Sequence, residues 1–563
     1  MVRQYIGARY VIKVYQNSQD PSSAEWEAST SYEPITLVTY NNSSYLSKKE
    51  VPSNIGDPAS NPQYWVITGA YNGQIAALQT QLNKIKDFVT PEQFGAAGDG
   101  TSDDTQAIQD AIDNADGRIV LLSQAYRVTD IINLVTGTRI EGVNGATIID
   151  DVPSLTPYYG ILDGRNINNV SINNVTFIGE NTSGSAVYTV LNADCIIMFR
   201  DCQHIEVTNC SFKGITKGNC VIAAGSKFVT VDTCDIEYYT YCGIGFYDTT
   251  KWSSVRNCKI VNSRYNGEPM NQYGIVLAGY TSTTYTAGDH IWCENNYLSN
   301  DVPKWEGIDA HGGGYLFINN NHIFGFPTGI ALIRNSGTPS YICGYVNIDN
   351  NQIYGAIDEN GTLRNGSAGI IASGEEISIT NNTLRKCGHV FLPTTDTELC
   401  AGIVIDGTIQ GLIIANNSLN ACAGCGISFV VNGVVNRTII SNNYIRVDTQ
   451  VNGAQYLINF HNDSSIADVI IEGNTFANYA GCRMPLTLGT NMYIKFNNNN
   501  WLYYLANADV NIENCKPDRC KDSDISSIAV GKLGDFIRCV NNANIAGWIC
   551  TSESPVTYKP IAL

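Results

Sequence analysis

A six-residue motif that returns along the chain restricts the fold more than any other feature. At residues 318–323 it reads Ile-Asn-Asn-Asn-His-Ile: an apolar residue, a polar turn, an apolar residue. Versions of it occupy 172–177, 207–212, 231–236, 255–260 and 293–298, then 348–353, 379–384, 414–419, 440–445, 471–476 and 496–501. Successive copies lie roughly 24 to 38 residues apart, the range in which internal repeats mark a solenoid. The first and sixth residues are predicted to point into a core. Asn tolerates the left-handed backbone that a tight bend between them requires. The fourth position is Cys210, Cys234 and Cys258, then Asn296, Asn321, Asn351, Asn382, Asn417, Asn443, Asn474 and Asn499. Stacked turns would superimpose these side chains, and a column of amides can satisfy its own buried polar groups. A Cys in that column acts as a small hydrophobe.

A second repeat has the same period. Gly followed by alternating apolar residues occurs at 243–246, 274–277, 307–310, 329–332, 369–372, 402–405 and 426–429. Alternation is a strand signature. Each repeat therefore holds at least two short strands and turns. The predicted fold is all-β: a parallel β-helix, right-handed by the rule for parallel crossovers.

Residues 1–74 lack hexads and are rich in aromatics, among them Trp26, Tyr32, Tyr40, Tyr45, Tyr64 and Trp65. Residues 32–47 read as a hairpin. A small β module needs large side chains to bury enough area, so these rings are expected to form a mini-core. Residues 75–90 carry Ile75, Leu78, Leu82, Ile85 and Val89 at helical a/d spacing, which predicts a short coiled coil. In residues 91–115 a Gly-rich loop leads to a helix with Ser102 as the expected N-cap and Asp103 and Asp104 in its first turn. Residues 91–500 are assigned to the solenoid, whose longer insertions at 150–165, 180–197, 264–272, 279–289 and 392–400 map to loops. Residues 501–563 are assigned to a C-terminal β cap or trimer contact, since an open last coil invites aggregation.

The chain has 563 residues and a net charge of -18, which argues against nucleic acid as a partner. No apolar run is long enough for a membrane helix, and the N-terminal stretch lacks the pattern of a secretory signal. The 18 Cys fall largely at strand and hexad positions, where buried thiols suffice without disulfides. Cys422 and Cys425 form a lone pair without zinc-finger spacing, and no resident cofactor is implied.

Chemistry concentrates in residues 304–314, Lys-Trp-Glu-Gly-Ile-Asp-Ala-His-Gly-Gly-Gly. Alignment on the Gly-Ile repeat turns Ile308 and Ala310 inward and Asp309 and His311 outward, onto a solvent-facing, mostly apolar strip. Glu306 is three residues from Asp309, so both share a face only if Gly307 bends the strand. Tyr273 takes the place of Glu306 one coil earlier, and Arg334 follows the strand one coil later. His290 is placed at the groove edge, beside Trp305 as a further substrate contact. Two carboxyls and an imidazole suit acid-base hydrolysis of a glycosidic bond, with Glu306 as nucleophile or base, Asp309 as acid and His311 as tuner. A divalent metal held by Asp309, His311 and Asp289, with Arg334 on phosphate, is the alternative for phosphodiester cleavage.

Residues 94–112, FGAAGDGTSDDTQAIQDAI, resemble the lead-in segment of the pectate-lyase-like β-helix superfamily, which contains lyases, hydrolases and plain adhesins. The N-terminal VRQYIGARYV, with YEPITLVTYNNSSYLSKKEVP, resembles the preneck appendages or tailspikes of small podoviruses that infect Gram-positive bacteria. WEGIDAHGG is similar to a segment of phage tailspikes that degrade cell-wall glycans. These resemblances imply a virion tail protein, assembled in the host cytoplasm as a homotrimer. It would attach to tail or neck/connector proteins through its N-terminal, carbohydrate-binding-like module. It would bind and hydrolyse a host surface polysaccharide or wall teichoic acid, with catalysis carried over to Glu306, Asp309 and His311. A non-catalytic adhesin and a polysaccharide lyase are the alternatives.

Overall fold

The structure is a computed structural model. It describes residues 13–69 except 21–22 and 42, and residues 87–497 except 153–158, 180–193, 216–217, 263–272, 278–287, 301–304, 334–342, 356–367, 389–399, 431–433, 450–455, 461–464, 478–480 and 484–493. Beyond 497 it describes 504–505, 510–513, 519–520, 536–539, 545–553 and 556–562. Contacts divide the chain into Met1–Asp87 and Phe88–Leu563.

The first unit holds a four-stranded sheet: Lys13–Val14, Thr36–Tyr40, Ser43–Ser47 and Trp65–Gly69. The hairpin pairs Val38 with Tyr45 across a turn where Asn41 is left-handed (φ 47°). Tyr32, Val38, Tyr45, Val51 and Trp65 are buried together, with Tyr15, Trp26, Tyr40, Ile55 and Tyr64 against them. The rings are thus a mini-core, as a small module requires. The predicted coiled coil falls mostly on residues 75–86, outside the described residues. Its last residues, Phe88–Val89, are a strand paired with Ile119–Leu122, not helix.

From there the chain winds as a parallel β-helix with three strands per coil. One coil runs Glu306–His311, Gly313–Asn319 and His322–Phe324. Each strand pairs in parallel with its equivalent one coil away, Ile308 with Ile275 and Ile330, Ile318 with Cys293 and Ile348, Ile323 with Leu298 and Ile353. Parallel stacking continues through Val510–Glu513, past residue 500. A separate sheet follows, of strands Arg519–Cys520, Phe536–Cys539, Ile545–Glu553 and Val556–Ala562.

The hexad is the corner between the second and third strands. Its apolar ends are core: Ile318 and Ile323 are fully buried. Its third residue is left-handed in coil after coil, from Asn174 (φ 57°) through Asn320 (φ 58°) to Gly473 (φ 63°). Its fourth residue forms the buried column. Nδ2 of Asn321 donates to Oδ1 of Asn351 (3.0 Å), Asn351 to Asn382 (2.9 Å), Asn382 to Asn417 (3.0 Å), Asn417 to Asn443 (3.0 Å) and Asn443 to Asn474 (3.0 Å). The same amides cap backbone groups of adjacent coils, so no polar atom of this series is left dry. Asn499 lies outside the described residues. Below Asn296 the column is Cys258, Cys234 and Cys210, whose thiols donate to backbone carbonyls. The 13 cysteines from Cys195 to Cys425 are buried and free, Cys422 and Cys425 included.

The Gly of the Gly-Ile repeat also has a steric reason. A Cβ on Gly307 would lie 2.7 Å from the Gly329 carbonyl oxygen and 2.7 Å from Ile323 Cγ2. Gly274, Gly329 and Gly402 face the equivalent carbonyl of the next coil in the same way. This column points into the coil interior, where the corner leaves no room for a side chain.

At the N-terminal end, the helix Thr105–Asp113 buries Ala107, Ile108, Ala111 and Ile112. Its N-cap is Asp104, not Ser102. Ser102 instead donates to Asp99 (2.9 Å). Asp104 accepts the Ala97 and Gly98 N–H groups at 2.7 and 3.2 Å, and Asp103 accepts from Thr105 and Thr129. The acidic pair therefore holds the glycine loop against the helix. Of the predicted insertion loops, 264–272 and most of 180–197, 279–289 and 392–400 lie outside the described residues, whereas in 150–165 the segment Gly160–Arg165 is a strand paired in parallel with Asp194–Arg200, not a loop.

Candidate active site

The strand Glu306–His311 carries the predicted constellation. Because Gly307 and Ile308 both face the interior, the strand turns a corner there. Glu306, Asp309 and His311 consequently share the outer side, which resolves the spacing of three. The expected solvent exposure is not found. Asp309 is 2% exposed and Glu306 9%, while the His311 side chain is 30% exposed. The outward column that contains Asp309 runs Met198, Ile222, Gly245, Val276, Asp309, Ala331. It is covered rather than bare: Met198, Ile222 and Val276 pack with Cys195 and Cys242 under Tyr241, Tyr247 and Tyr273.

Burial sets the electrostatics. Nε2 of His311 donates to Oδ2 of Asp309 at 3.0 Å. Burial works to lower the pKa of His311, but this bond and the carboxylate charges outweigh it and the net shift is upward. Burial first, and the adjacent Asp309 charge second, push the Glu306 carboxyl up to about 8. Glu306 therefore holds a proton at neutral pH. Oε2 of Glu306 and Oδ1 of Asp309 are buried with no hydrogen-bond partner. Two orphaned carboxyl oxygens in one wall are costly for stability alone and are the atoms a bound ligand or water would satisfy.

Tyr273 lies one coil before Glu306 in register, and burial followed by the Glu306 and Asp309 charges raises its phenol above the ordinary value. Trp305 stacks on Tyr273 with centroids 5.9 Å apart and is 41% exposed. Arg334 lies outside the described residues. His290 belongs elsewhere. It bonds Asp289 (2.8 Å) and stacks on Tyr315 (4.4 Å), in a column of rings on the neighbouring face. Asp289 also pairs with Lys251 (2.7 Å). Among the described residues no group of three or more His, Cys, Asp or Glu side chains is gathered for a metal, and the proposed Asp289, Asp309 and His311 set is not assembled.

The ring column escaped the sequence reading. His204, Phe228, Trp252, His290, Tyr315 and Tyr345 each precede the first hexad residue by three, and every one is left-handed, with φ between 50° and 57°. That fixed offset was the available signal.

No family model matches the chain. Plasmin and fibronectin-binding protein A of Streptococcus pneumoniae is 23% identical over 266 residues, 43% of this chain and 35% of that protein. A capsule-specific depolymerase of Klebsiella phage K64-1 is 26% identical over 239 residues, 38% of this chain and 26% of that protein. The chain thus spans about a third or less of the length of these relatives. Among solved structures, the N-terminal fragment of bacteriophage Phi29 gene product 12 has a TM-score of 0.51 at 14% identity, covering 77% of this chain and 82% of that one. That likeness is one of fold.

Proposed function

We propose that the chain is a phage tailspike-type protein that binds and hydrolyses a bacterial surface polysaccharide or wall teichoic acid. The observation that carries the catalytic reading is the pair of unpartnered buried carboxyl oxygens on Glu306 and Asp309, with the Glu306 carboxyl held neutral by burial. A carboxyl that its environment keeps protonated at neutral pH is suited to act as the acid of such a pair. The proposed roles are the reverse of those expected from the sequence. Glu306, which keeps its proton, donates it to the departing glycosidic oxygen. Asp309, held by His311, acts as base or nucleophile, and the anomer first released distinguishes the two. Tyr273 and Trp305 offer ring surface for a sugar at the same wall. The likeness to a phage depolymerase supports glycan as substrate class. Attachment to a virion tail, homotrimer assembly and a Gram-positive host belong to this same proposal.

A non-catalytic adhesin is the second reading. It is favoured by the 2% exposure of Asp309, which leaves little access from solvent, and one relative is named as a binding protein. The full chain is incubated with purified bacterial polysaccharides and teichoic acids, and reducing ends, phosphate and near-ultraviolet absorbance are followed. Hydrolysis gives reducing ends or phosphate, which Glu306→Gln lowers by about 100-fold or more. Absorbance from an unsaturated product identifies a lyase. Binding with intact polymer leaves the adhesin, and release untouched by Glu306→Gln and Asp309→Asn removes these residues from any chemistry.

A further inference from the structure

Six rings stand on the outside of six consecutive coils. His204 and Phe228 stack at 4.8 Å and 6°, Phe228 and Trp252 at 5.3 Å and 14°, and Tyr315 and Tyr345 at 4.8 Å and 5°. The stack opens at Trp252 and His290, 6.2 Å apart and tilted by 46°. Phe228, Trp252, Tyr315 and Tyr345 are each more than 40% exposed. A left-handed backbone suits Asn or Gly and disfavours bulky side chains. The same column in other coils is Asn169, Glu376, Gly411, Arg437 and Asp468, all with positive φ. The turn therefore accepts small and polar residues, and the fold does not require a ring there. A contiguous exposed apolar stripe calls for a ligand.

A groove of about 480 Å³ runs beside the first three rings. One wall is Asn169, His204, Phe228 and Trp252. The floor is the next outward column of the same strands, Ser171, Glu206 and Thr230, with Arg139 at one end. The coils of His204 and Phe228 thus each offer one ring and one carboxylate or hydroxyl, repeated at the spacing of stacked strands. That period is close to the advance of one sugar unit in an extended glycan. Arg139 and Glu206 are of opposite sign, so the lining favours no net charge in its ligand.

We propose that this groove binds a neutral polysaccharide chain lying along the helix axis, as a second carbohydrate site separate from Glu306, Asp309 and His311. Ring edges and the face opened at Trp252 pack against sugar C–H groups, and the floor column meets the hydroxyls. This reading does not depend on catalysis at Glu306.

The test uses the full chain on a printed array of neutral glucans, mannans and galactans alongside anionic capsular and teichoic polymers. Phe228→Asn with Trp252→Asn is the informative double variant, because Asn169 already occupies this turn. At least one neutral polymer is expected to bind, with affinity at least tenfold weaker in the double variant. Equal binding by the double variant, binding confined to anionic polymers, or no binding at all overturns the proposal. So does a double variant whose only change is a lower melting temperature or an altered oligomeric state, since the stripe would then serve stability or self-association.

Discussion

Asn382→Ala is the sharpest test of how the coils are held together. Asn382 sits mid-column and is 1% exposed. Its Nδ2 donates to the Ile348 carbonyl (2.9 Å) and to Asn417 Oδ1 (3.0 Å), while its Oδ1 accepts from the Asn351 N–H (2.9 Å) and Asn351 Nδ2 (2.9 Å). Asn417 Oδ1 keeps the backbone N–H of residue 382 as a donor, at 2.9 Å. Truncation therefore deprives two buried groups of these partners, the Ile348 carbonyl and the Asn351 N–H, while Asn351 Nδ2 loses one bond but keeps the Ile318 carbonyl at 2.8 Å. Each unsatisfied buried group costs about 1–3 kcal/mol. Water entering the vacated space relieves part of this, so the expected loss is about 2–4 kcal/mol. Asn382→Cys is the control. The column already holds Cys234, whose thiol reaches the Val207 carbonyl at 3.6 Å, so a thiol there keeps the carbonyl partnered and should cost less than Ala. Denaturant midpoints read both variants, and hydrogen exchange at the Asn351 amide should accelerate in Ala. An Ala variant within about 0.5 kcal/mol of the parent, or a Cys variant equally damaged, would refute the reasoning.

Gly329→Ala places a Cβ 2.4 Å from Ile353 Cγ2 and 2.7 Å from the Gly369 oxygen, so a loss of about 1–3 kcal/mol is expected in thermal melts. Trp65→Ala empties the mini-core of the first unit, at about 3–5 kcal/mol, and should release the near-ultraviolet signal of those rings first. The folded pKa of Glu306 lies above its unfolded value, so the folded state binds the extra proton between about pH 4.5 and 8. Its contribution to stability is accordingly lost as pH rises through that window, and Glu306→Gln should flatten this part of a stability–pH curve. The sign is the same for His311. Its raised pKa stabilises the fold below the unfolded value and loses that contribution as pH rises past the folded one, so Asp309→Asn should shift the imidazole titration, read by NMR, downward.

Much of this protein is local in origin and so was written in the chain. A hexad needs an apolar residue at each end and a left-handed residue between, and those demands hold whatever the coil packs against. Repetition then fixes the stacking, because equivalent positions of successive coils superimpose. The Asn column, the buried free thiols, the inward Ile308 and Ala310 and the outward side of Asp309 and His311 follow from that alone. The helix cap was misread for a related reason. Ser102 and Asp104 compete for one short turn, and the loop N–H groups of Ala97 and Gly98 recruit Asp104. Those partners are tertiary.

Exposure was the larger matter that only the tertiary structure decided. Periodicity tells which side of a strand a residue takes, but whether that side is wet depends on what lies over it. Tyr241, Tyr247 and Tyr273 come from two other coils, and they close over the column that leads to Asp309. Desolvation there lifts the Glu306 carboxyl, and the roles proposed for the two acids differ from those expected from the sequence for that reason. No window of sequence carries that information, because the energy of a buried charge is set by neighbours brought together only when the chain is wound.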